Sequence, residues 1–360
     1  TTDIYTLPLH DALPILDSLQ KRNLSLFTAG RLISLIGSGI QMIALPLFIL
    51  DLTGSGTLMG VFAMLSMVPA LLASPLAGVL GDRLNRKHIA VYTDCGRGVL
   101  IFALAWLAFT GRMGVAPLFV CQVFVSILDS LFNAATAAML PDLVEAGDYS
   151  RANAARSGVD SLSMIVGPVL GGVIYGLYGV KMVFLLNAVS FVLSAFCEQL
   201  IAYRAPDKKA ARMTIENTLG EIVEVLVFIW RRLGLRQLFL FAMFSNFLVV
   251  PVIFVAFPFL FRKIIGFSAQ QYGYLMTTYM VGMLLGNVLL GSLLAKARSG
   301  RLLKLGLFVQ GILFIGLMIL IFPAVLALFP GPGWALFGVL AASFVVTGVF
   351  NAFVNTPLNT

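Results

Sequence analysis

The chain has 360 residues, of which 59% are hydrophobic and only 11% are charged, and its mean hydropathy is +0.98. A soluble domain carries roughly a quarter charged residues, so this composition leaves too little polar surface for a soluble globular protein. The net charge of +8 clusters at the ends of apolar segments, which favours contact with a membrane surface over binding of nucleic acid.

The first residues are set apart by their sequence. The stretch from Tyr5 to Ile15 resembles a sequencing-adapter oligonucleotide translated in one frame, so residues 1–15 are interpreted as an artefact. A short natural amphipathic segment is the alternative. No basic region with a small-residue cleavage site precedes the first apolar run, so we predict no cleavable signal peptide.

Ten apolar segments of spanning length follow, since a membrane helix needs about 20 mostly apolar residues. They lie near residues 24–50, 57–80, 89–110, 115–140, 155–178, 182–203, 237–261, 271–295, 302–324 and 333–355. A polar, charged stretch from Arg204 to Arg236 separates six spans from four. Within it, residues 215–226 are predicted to form an interfacial amphipathic helix.

This order of spans predicts the domain organisation. Six spans, a linker and further spans of the same kind are typical of a transporter built from two repeated bundles. We predict a six-helix bundle at 16–203, a cytoplasmic linker at 204–236 and a four-helix bundle at 237–360. An even division would give the second bundle six helices, so two C-terminal helices are expected to be missing. A native ten-helix protein is the alternative.

The 24 lysines and arginines predict the orientation. Arg31 and Arg97 fall within spans, and four others lie on one predicted side of the membrane: Arg112, Lys181, Arg262 and Lys263. The remaining 18 lie on the opposite side. Because positive charge accumulates in cytoplasmic loops, this asymmetry places the N-terminus and the linker in the cytoplasm.

The loop between spans two and three reads GVLGDRLNRK from Gly78 to Lys87. It resembles the signature of the major facilitator superfamily: glycine, three residues, Asp-Arg, one residue, then Gly-Arg and a basic residue. Gly78 is expected to permit close helix approach, and Arg83, Arg86 and Lys87 are expected to hold the loop at an anionic leaflet. An ordinary positively charged cytoplasmic loop is the alternative.

Two positions of this loop carry further expectations. The resemblance implies that Asp82 docks near the N-terminus of an eleventh helix, where the helix dipole favours a carboxylate. Asn85 stands where the family pattern has glycine. Asparagine tolerates the left-handed backbone conformation better than other non-glycine residues, so the turn is expected to form.

A second motif lies on span five, where the sequence from Ser163 to Gly172 reads SMIVGPVLGG. It resembles the antiporter motif of exporting members of the same superfamily, with Ser163 in the first glycine position. Ser163, Gly167, Gly171 and Gly172 predict a flat face for close helix packing, and Pro168 is expected to bend the helix. A generic packing face is the alternative.

Four shorter stretches resemble the superfamily branch that contains macrolide-efflux and enterobactin-exporter proteins: Gly30–Ser34, Ala44–Leu47, Leu140–Val144 and Asn187–Phe191. The resemblance implies proton-coupled efflux of a small molecule across the plasma (inner) membrane by a monomer, without cofactor or metal. An arginine that the family carries in span four has no match here. A lysophospholipid-handling transporter of the same fold and a non-transporting sensor or scaffold are the alternatives.

No motif of a membrane-embedded enzyme or a phosphate-binding loop occurs in the sequence. The candidate transport residues are therefore ionisable groups inside the spans, which are costly in hydrocarbon unless they pair or face a cavity. Asp129 lies near the middle of span four and is the leading candidate for a proton or cation site. A structural carboxylate between helices is the alternative.

Further ionisable groups lie within the predicted spans. Asp94 and Arg97 are one helical turn apart on span three and are predicted to pair, with a structural or a transport role. Arg31 lies in the cytoplasmic third of span one, where snorkelling or pairing competes with substrate contact. Asp160 and Glu198 are placed near cytoplasmic helix ends, where solvation is expected to be cheap.

Overall fold

A computed structural model describes residues 9–145, 147–203, 220, 224, 227–292, 299–326, 328–329, 331 and 333–359. Every regular element in this part of the chain is helical. The helices are α1 (Leu9–Thr53), α2 (Gly56–Arg83), α3 (Arg86–Phe109), α4 (Val115–Met139), α5 (Tyr149–Gln199), α6 (Leu233–Pro251), α7 (Ala269–Ser292), α8 (Ser299–Ile321), α9 (Pro323–Leu326) and α10 (Trp334–Asn359).

Eight helices among the described residues are long and apolar enough to cross a membrane. One of them, α5, is 51 residues long and contains the fifth and sixth predicted spans. Its helical backbone is interrupted at Gly179, where φ is 71° and ψ is −174°. Such a positive φ is accessible to glycine at little cost because glycine has no Cβ. Gly179 therefore separates two spans within one assigned helix.

The seventh predicted span corresponds to α6 and to two short π-helical segments, Val252–Ala256 and Phe259–Ile264. The predicted amphipathic helix at 215–226 falls outside the described residues, apart from residues 220 and 224. The basic loop after α7, residues 293–298, also falls outside them.

Large apolar side chains cover the outside of the helices. Leu71, Leu72 and Met318 are more than 70% exposed. Water would strongly disfavour such continuous apolar exposure, whereas lipid chains are as apolar as these side chains. The chain is therefore a multi-pass all-α membrane protein whose exposed apolar surface faces the bilayer.

The chain divides into two compact units that do not follow chain order. The first unit comprises Thr1–Gly37, Gly60–Asp160 and Phe184–Val252, and the second comprises Ser38–Met59, Ser161–Val183 and Ile253–Thr360. Both α1 and α5 therefore contribute residues to each unit. The predicted domain limits at 203 and 237 remain a prediction from the sequence.

Each unit has its own apolar core. In the first unit, one buried cluster contains Phe27, Met139 and Ile201. In the second, Phe261 stacks on Phe267 with ring centroids 6.1 Å apart and meets Phe344 edge-on at 5.7 Å. These buried side chains fix the helices that carry the polar groups described next.

Candidate functional site

A buried cluster of charged side chains lies inside the first unit, centred on Arg97 of α3. The inward face of α3 carries Ala90, Asp94, Arg97, Ile101 and Leu104, which recur at the three- and four-residue spacing of one helix face. Asp94 is fully enclosed and Arg97 is 3% exposed, and the two form an ion pair one turn apart. The predicted pairing of Asp94 with Arg97 is therefore present.

Arg97 also reaches helix α4. Its Nη1 atom donates a hydrogen bond of 2.5 Å to Oδ1 of Asp129. Its guanidinium carbon lies 4.2 Å from the ring centroid of Phe132 and 4.5 Å from that of Phe191. Aromatic faces attract a desolvated cation, so the guanidinium is stabilised by contacts with two rings and two carboxylates. The structure thus joins three sequence candidates, Asp94, Arg97 and Asp129, in one contact network.

Asp129 differs from Asp94 in its access. The Asp129 side chain is 38% exposed, whereas Asp94 is 0% exposed. The sequence places Asp129 nearer the middle of its span than any other carboxylate, but depth along a helix and enclosure by neighbouring side chains are different quantities. Asp129 is thus the more exposed carboxylate of the network, and Asp94 is the fully buried one.

The fourth candidate, Arg31 of α1, pairs with Asp160 of α5. Arg31 Nε lies 2.7 Å from Asp160 Oδ1, and Nη2 lies 3.1 Å from Oδ2, which is a bidentate geometry. Arg31 is 6% exposed and Asp160 is 34% exposed. Bidentate pairing fixes the planar guanidinium firmly. Arg31 is therefore paired within the protein and does not snorkel, and its Nη1 atom still lacks a partner among the described residues.

Glu198 is the residue that sequence reasoning misplaced. Cheap solvation was expected there, yet Glu198 is 2% exposed and its Oε2 atom has no hydrogen-bond partner among the described residues. It attracts Arg97 electrostatically, and Arg31 repels Arg97. The missed signal was a single carboxylate inside the apolar run that ends span six.

The cluster carries more negative than positive groups. Its described members include two guanidinium groups, on Arg31 and Arg97, and four carboxylates, on Asp94, Asp129, Asp160 and Glu198. Full ionisation would leave excess negative charge in a medium of low polarity, which is costly. Binding of a proton or another cation reduces that excess, so the arrangement is chemically suited to reversible cation loading.

The loop between α2 and α3 is built around Arg86. Its Nη1 atom lies 2.6 Å from Oδ2 of Asp142, and Nε donates a 3.0 Å hydrogen bond to the carbonyl of Gly81. Tyr203 donates a 2.7 Å hydrogen bond to the same Asp142 oxygen. Burial, then this hydrogen bond, raises the pKa of Tyr203 to about 12. Arg86 is 8% exposed, so its expected contact with the leaflet is wrong.

Lys87 also serves the protein. Its Nζ atom donates hydrogen bonds of 2.6 and 2.9 Å to the carbonyls of Gln199 and Ile201, at the C-terminus of α5. The last carbonyls of a helix lack intrahelical partners and carry partial negative charge, so a lysine there is stabilising. The loop is thus fixed by protein contacts of both Arg86 and Lys87.

Two expectations for this loop are corrected. Asn85 has φ −65° and ψ 112°, which is not the left-handed conformation. It caps α3 instead, with its side chain accepting from the backbone N–H groups of Lys87 and His88. A Cβ at Gly78 would meet no atom within 4 Å, so none of the described helices approaches closely there. The side chains of Asp82 and Arg83 lie outside the described part of the structure.

The small residues on α5 do form a close packing face. A Cβ at Gly167 would lie 2.8 Å from Gly39 Cα, and one at Gly171 would lie 2.7 Å from the Ile40 carbonyl, both on α1. A Cβ at Gly172 would lie 2.6 Å from the carbonyl of Ala269 on α7. Only glycine permits such backbone contact.

The other two members of this stretch differ in kind. Ser163 is 4% exposed and lies on the same face, its carbonyl 3.5 Å from a Cβ placed at Gly39. The residue with non-helical torsion angles inside α5 is Gly179, and the backbone at Pro168 is helical. The predicted packing is therefore present, and a role in export remains a proposal.

A second polar group of residues lies in the second unit. Asp51 accepts a 2.8 Å hydrogen bond from Tyr175 and pairs with Arg262, whose Nε and Nη2 lie 3.1 and 3.2 Å from its two oxygens. A cavity of about 550 Å³ adjoins them, lined also by Ser268 and Gln270. Sequence reasoning did not single out this group, because its members are far apart in the chain.

Comparison with known proteins identifies relatives that match most of this chain. Residues 27–360 match the model of the Major Facilitator Superfamily. The chain is 27% identical over 263 residues to the multidrug efflux pump Tap of Mycolicibacterium fortuitum, covering 69% of this chain and 62% of that pump. It is 23% identical over 337 residues to macrolide efflux protein A of Streptococcus pyogenes, covering 92% and 79% of the two chains.

Solved structures agree on the fold. The nucleoside transporter NupG aligns with a TM-score of 0.68 at 14% identity, covering 94% of this chain and 80% of that one. A bacterial homologue of the human lysosomal transporter Spinster aligns with a TM-score of 0.67 at 15% identity, covering 94% and 75%. At such identities the likeness concerns the fold alone.

Proposed function

The chain belongs to the Major Facilitator Superfamily, and from this premise we propose that it is a secondary active transporter that exports a small molecule in exchange for protons. The observation that carries the proposal is the buried network of Arg97 with Asp94 and Asp129. Ionisable groups inside membrane helices are expensive to retain, and they are typical of ion and substrate pathways.

Coupling to protons is supported by the balance of charge in the network. Asp129 is the proposed proton or cation site, because it is the accessible carboxylate that contacts Arg97. Protonation of Asp129 would weaken its ion pair with Arg97, and the free energy of that pair can then change when the helices rearrange. Asp94, Arg97 and Arg31 are proposed to set the electrostatic environment of that site.

Export of a drug, a macrolide or a siderophore-like molecule is the proposed direction and substrate class. The relatives named as efflux proteins support it, although the matched region spans only 62% of the Tap pump. The glycine face of α5 supports it through the resemblance to the antiporter motif. Lipid handling and a sensor role are not favoured, because no similar feature supports them.

The remaining assignments follow the same proposal. The N-terminus and the 204–236 linker lie in the cytoplasm, and residues 16–203 and 237–360 form the two bundles that alternate access. The protein resides in the plasma (inner) membrane as a monomer and is not an enzyme. Arg112, Lys181, Arg262 and Lys263 lie on the opposite side of the membrane from the cytoplasm. Labelling of these four residues from the cytoplasmic side by a membrane-impermeant reagent would contradict the orientation.

Everted membrane vesicles test the function. Vesicles containing the protein are energised by respiration, and a panel including erythromycin is added while lumenal pH is followed with a fluorescent amine. In vesicles that contain the wild-type protein, a substrate should cause protons to leave the lumen. The Asp129→Asn substitution should abolish this proton release. The control is Asp148→Asn, the same change at a 58% exposed carboxylate outside the cluster. Full proton-coupled efflux by Asp129→Asn would refute the assignment.

A further inference from the structure

The charge cluster contains both halves of a hydrogen bond that is not made. Arg97 Nε lacks an acceptor and Glu198 Oε2 lacks a donor among the described residues. Arg97 is 3% exposed and Glu198 is 2% exposed, so water does not readily serve either atom. A buried polar atom without a partner costs about 1–3 kcal/mol. The two atoms would satisfy each other if the guanidinium turned towards α5.

The geometry of α5 places Glu198 on the side that Arg97 already contacts. Phe191, Ser194 and Glu198 are spaced by three and four residues, so they share one face of the helix. The Phe191 ring lies 4.5 Å from the Arg97 guanidinium. A Cβ at Gly98, next to Arg97, would lie 3.6 Å from the Phe191 Cβ, so α3 and α5 are in close contact there.

Asp94 and two aromatic rings form a pivot for such a turn. Asp94 pairs with Arg97 on the same helix, so this contact can persist while the guanidinium changes its other partner. The rings of Phe132 on α4 and Phe191 on α5 both contact the guanidinium. One ring is on α4 and the other is on α5, so the cation keeps an aromatic contact when it moves from one helix towards the other, which lowers the cost of the movement.

We propose that Arg97 exchanges its partner between Asp129 on α4 and Glu198 on α5, and that Glu198 is thereby a second proton-carrying residue. When Asp129 takes up a proton, it releases Arg97, which then pairs with Glu198. Glu198 gives up its proton as the guanidinium arrives. One proton is bound and one is released, Arg97 stays protonated throughout, and the charge of the cluster is unchanged.

The two carboxylates that take part in this exchange differ in how exposed their side chains are. Asp129 is 38% exposed and Glu198 is 2% exposed, so Asp129 is the more accessible carboxylate of the pair and Glu198 is the more enclosed one. Among the described residues, the other charged or titratable groups of the cluster are Asp94 on α3, Cys197 on α5, and Arg31 on α1 with its partner Asp160 on α5. Coupling of the exchange to transport rests on the proposed function, whereas the exchange itself does not.

Infrared spectroscopy of the purified full chain tests the exchange without any substrate. Protonated carboxylic acids absorb separately from carboxylates, and the band lost in Glu198→Gln identifies Glu198. The band is titrated with pH in the wild type and in Asp129→Asn, which mimics a protonated Asp129. We expect Asp129→Asn to lower the proton affinity of Glu198 about tenfold, since a freed guanidinium favours the ionised carboxylate.

Three variants make the result decisive. Asp148→Asn, outside the cluster, should leave the Glu198 titration within about twofold of the wild type, as expected for a distant site. Arg97→Gln should remove the effect of Asp129→Asn. Arg31 also has an unpartnered nitrogen, so Arg31→Gln is compared as the rival donor. A size-exclusion profile like that of the wild type establishes that each variant is folded.

The outcomes separate the exchange from the transport assignment. A Glu198 titration that is unchanged in Asp129→Asn, or a protonated-acid band that survives Glu198→Gln unaltered, overturns the exchange. If Arg31→Gln removes the effect of Asp129→Asn and Arg97→Gln does not, Arg31 is the partner of Glu198, which also overturns the exchange. If the shift is found while vesicles show no substrate-linked proton release, the exchange stands and the proposed function fails.

Discussion

Substitution of Gly172 by alanine tests a close backbone contact between α5 and α7. The added Cβ would lie 2.6 Å from the carbonyl oxygen of Ala269 and 2.9 Å from Gly273 Cα on α7. Ordinary van der Waals contact begins near 3.4 Å, so the helices must separate by about 0.8 Å at this point. Both opposing atoms belong to the backbone, so no side-chain rotation can relieve the overlap.

The magnitude follows from two opposing terms. Replacing a helical glycine by alanine favours the helix by about 1 kcal/mol. Overpacking a close contact costs about 1–3 kcal/mol. Gly158 on the same helix is the matched control, because a Cβ there would meet no described atom within 4 Å. Gly158→Ala should therefore stabilise the protein, and the free energy of unfolding of Gly172→Ala should be lower by the overpacking cost.

The assay is unfolding of both variants in the same detergent, followed by circular dichroism as temperature or denaturant rises. We expect a higher midpoint than the wild type for Gly158→Ala, and a midpoint for Gly172→Ala that is lower than that of the control. Equal stabilisation by the two substitutions would refute the reasoning, because it would mean that α5 and α7 do not touch at Gly172.

Three further predictions concern the loop after α2. Arg86→Gln should cost about 3 kcal/mol of unfolding free energy, because it leaves the Asp142 carboxylate without its cationic partner, and adding Asp142→Asn should cost much less than it does alone. Asn85→Ala should cost about 1 kcal/mol through loss of the N-cap; stabilisation by Asn85→Gly would instead indicate a left-handed turn. Burial and the Asp142 hydrogen bond raise the pKa of Tyr203 from 10 to about 12. The contribution of this contact to stability should therefore be complete below pH 10 and lost as pH rises towards 12. Ultraviolet titration measures the pKa, and comparison of unfolding with Tyr203→Phe measures the contribution to stability.

The relation between sequence and structure is clearest on α3 and α5. The pairing of Asp94 with Arg97 and the small-residue face around Gly167 were predictable, since both depend on helical spacing within one segment. The N-cap formed by Asn85 was not predictable, because asparagine is compatible both with a left-handed turn and with an N-cap. Gly78 shows the converse: a small residue permits close approach, but a neighbouring helix must also be there.

What the sequence determined by itself is the class of protein, because apolar runs of spanning length and the placement of basic residues record the energetics of the bilayer. The partners of the buried charges were decided only by the tertiary structure. Asp129 is 32 residues from Arg97, and Asp160 is 129 residues from Arg31. Contacts over such separations depend on how helices pack, and helical periodicity carries no information about them. For the same reason Glu198 could be read as a solvated helix end until packing enclosed it beside Arg97.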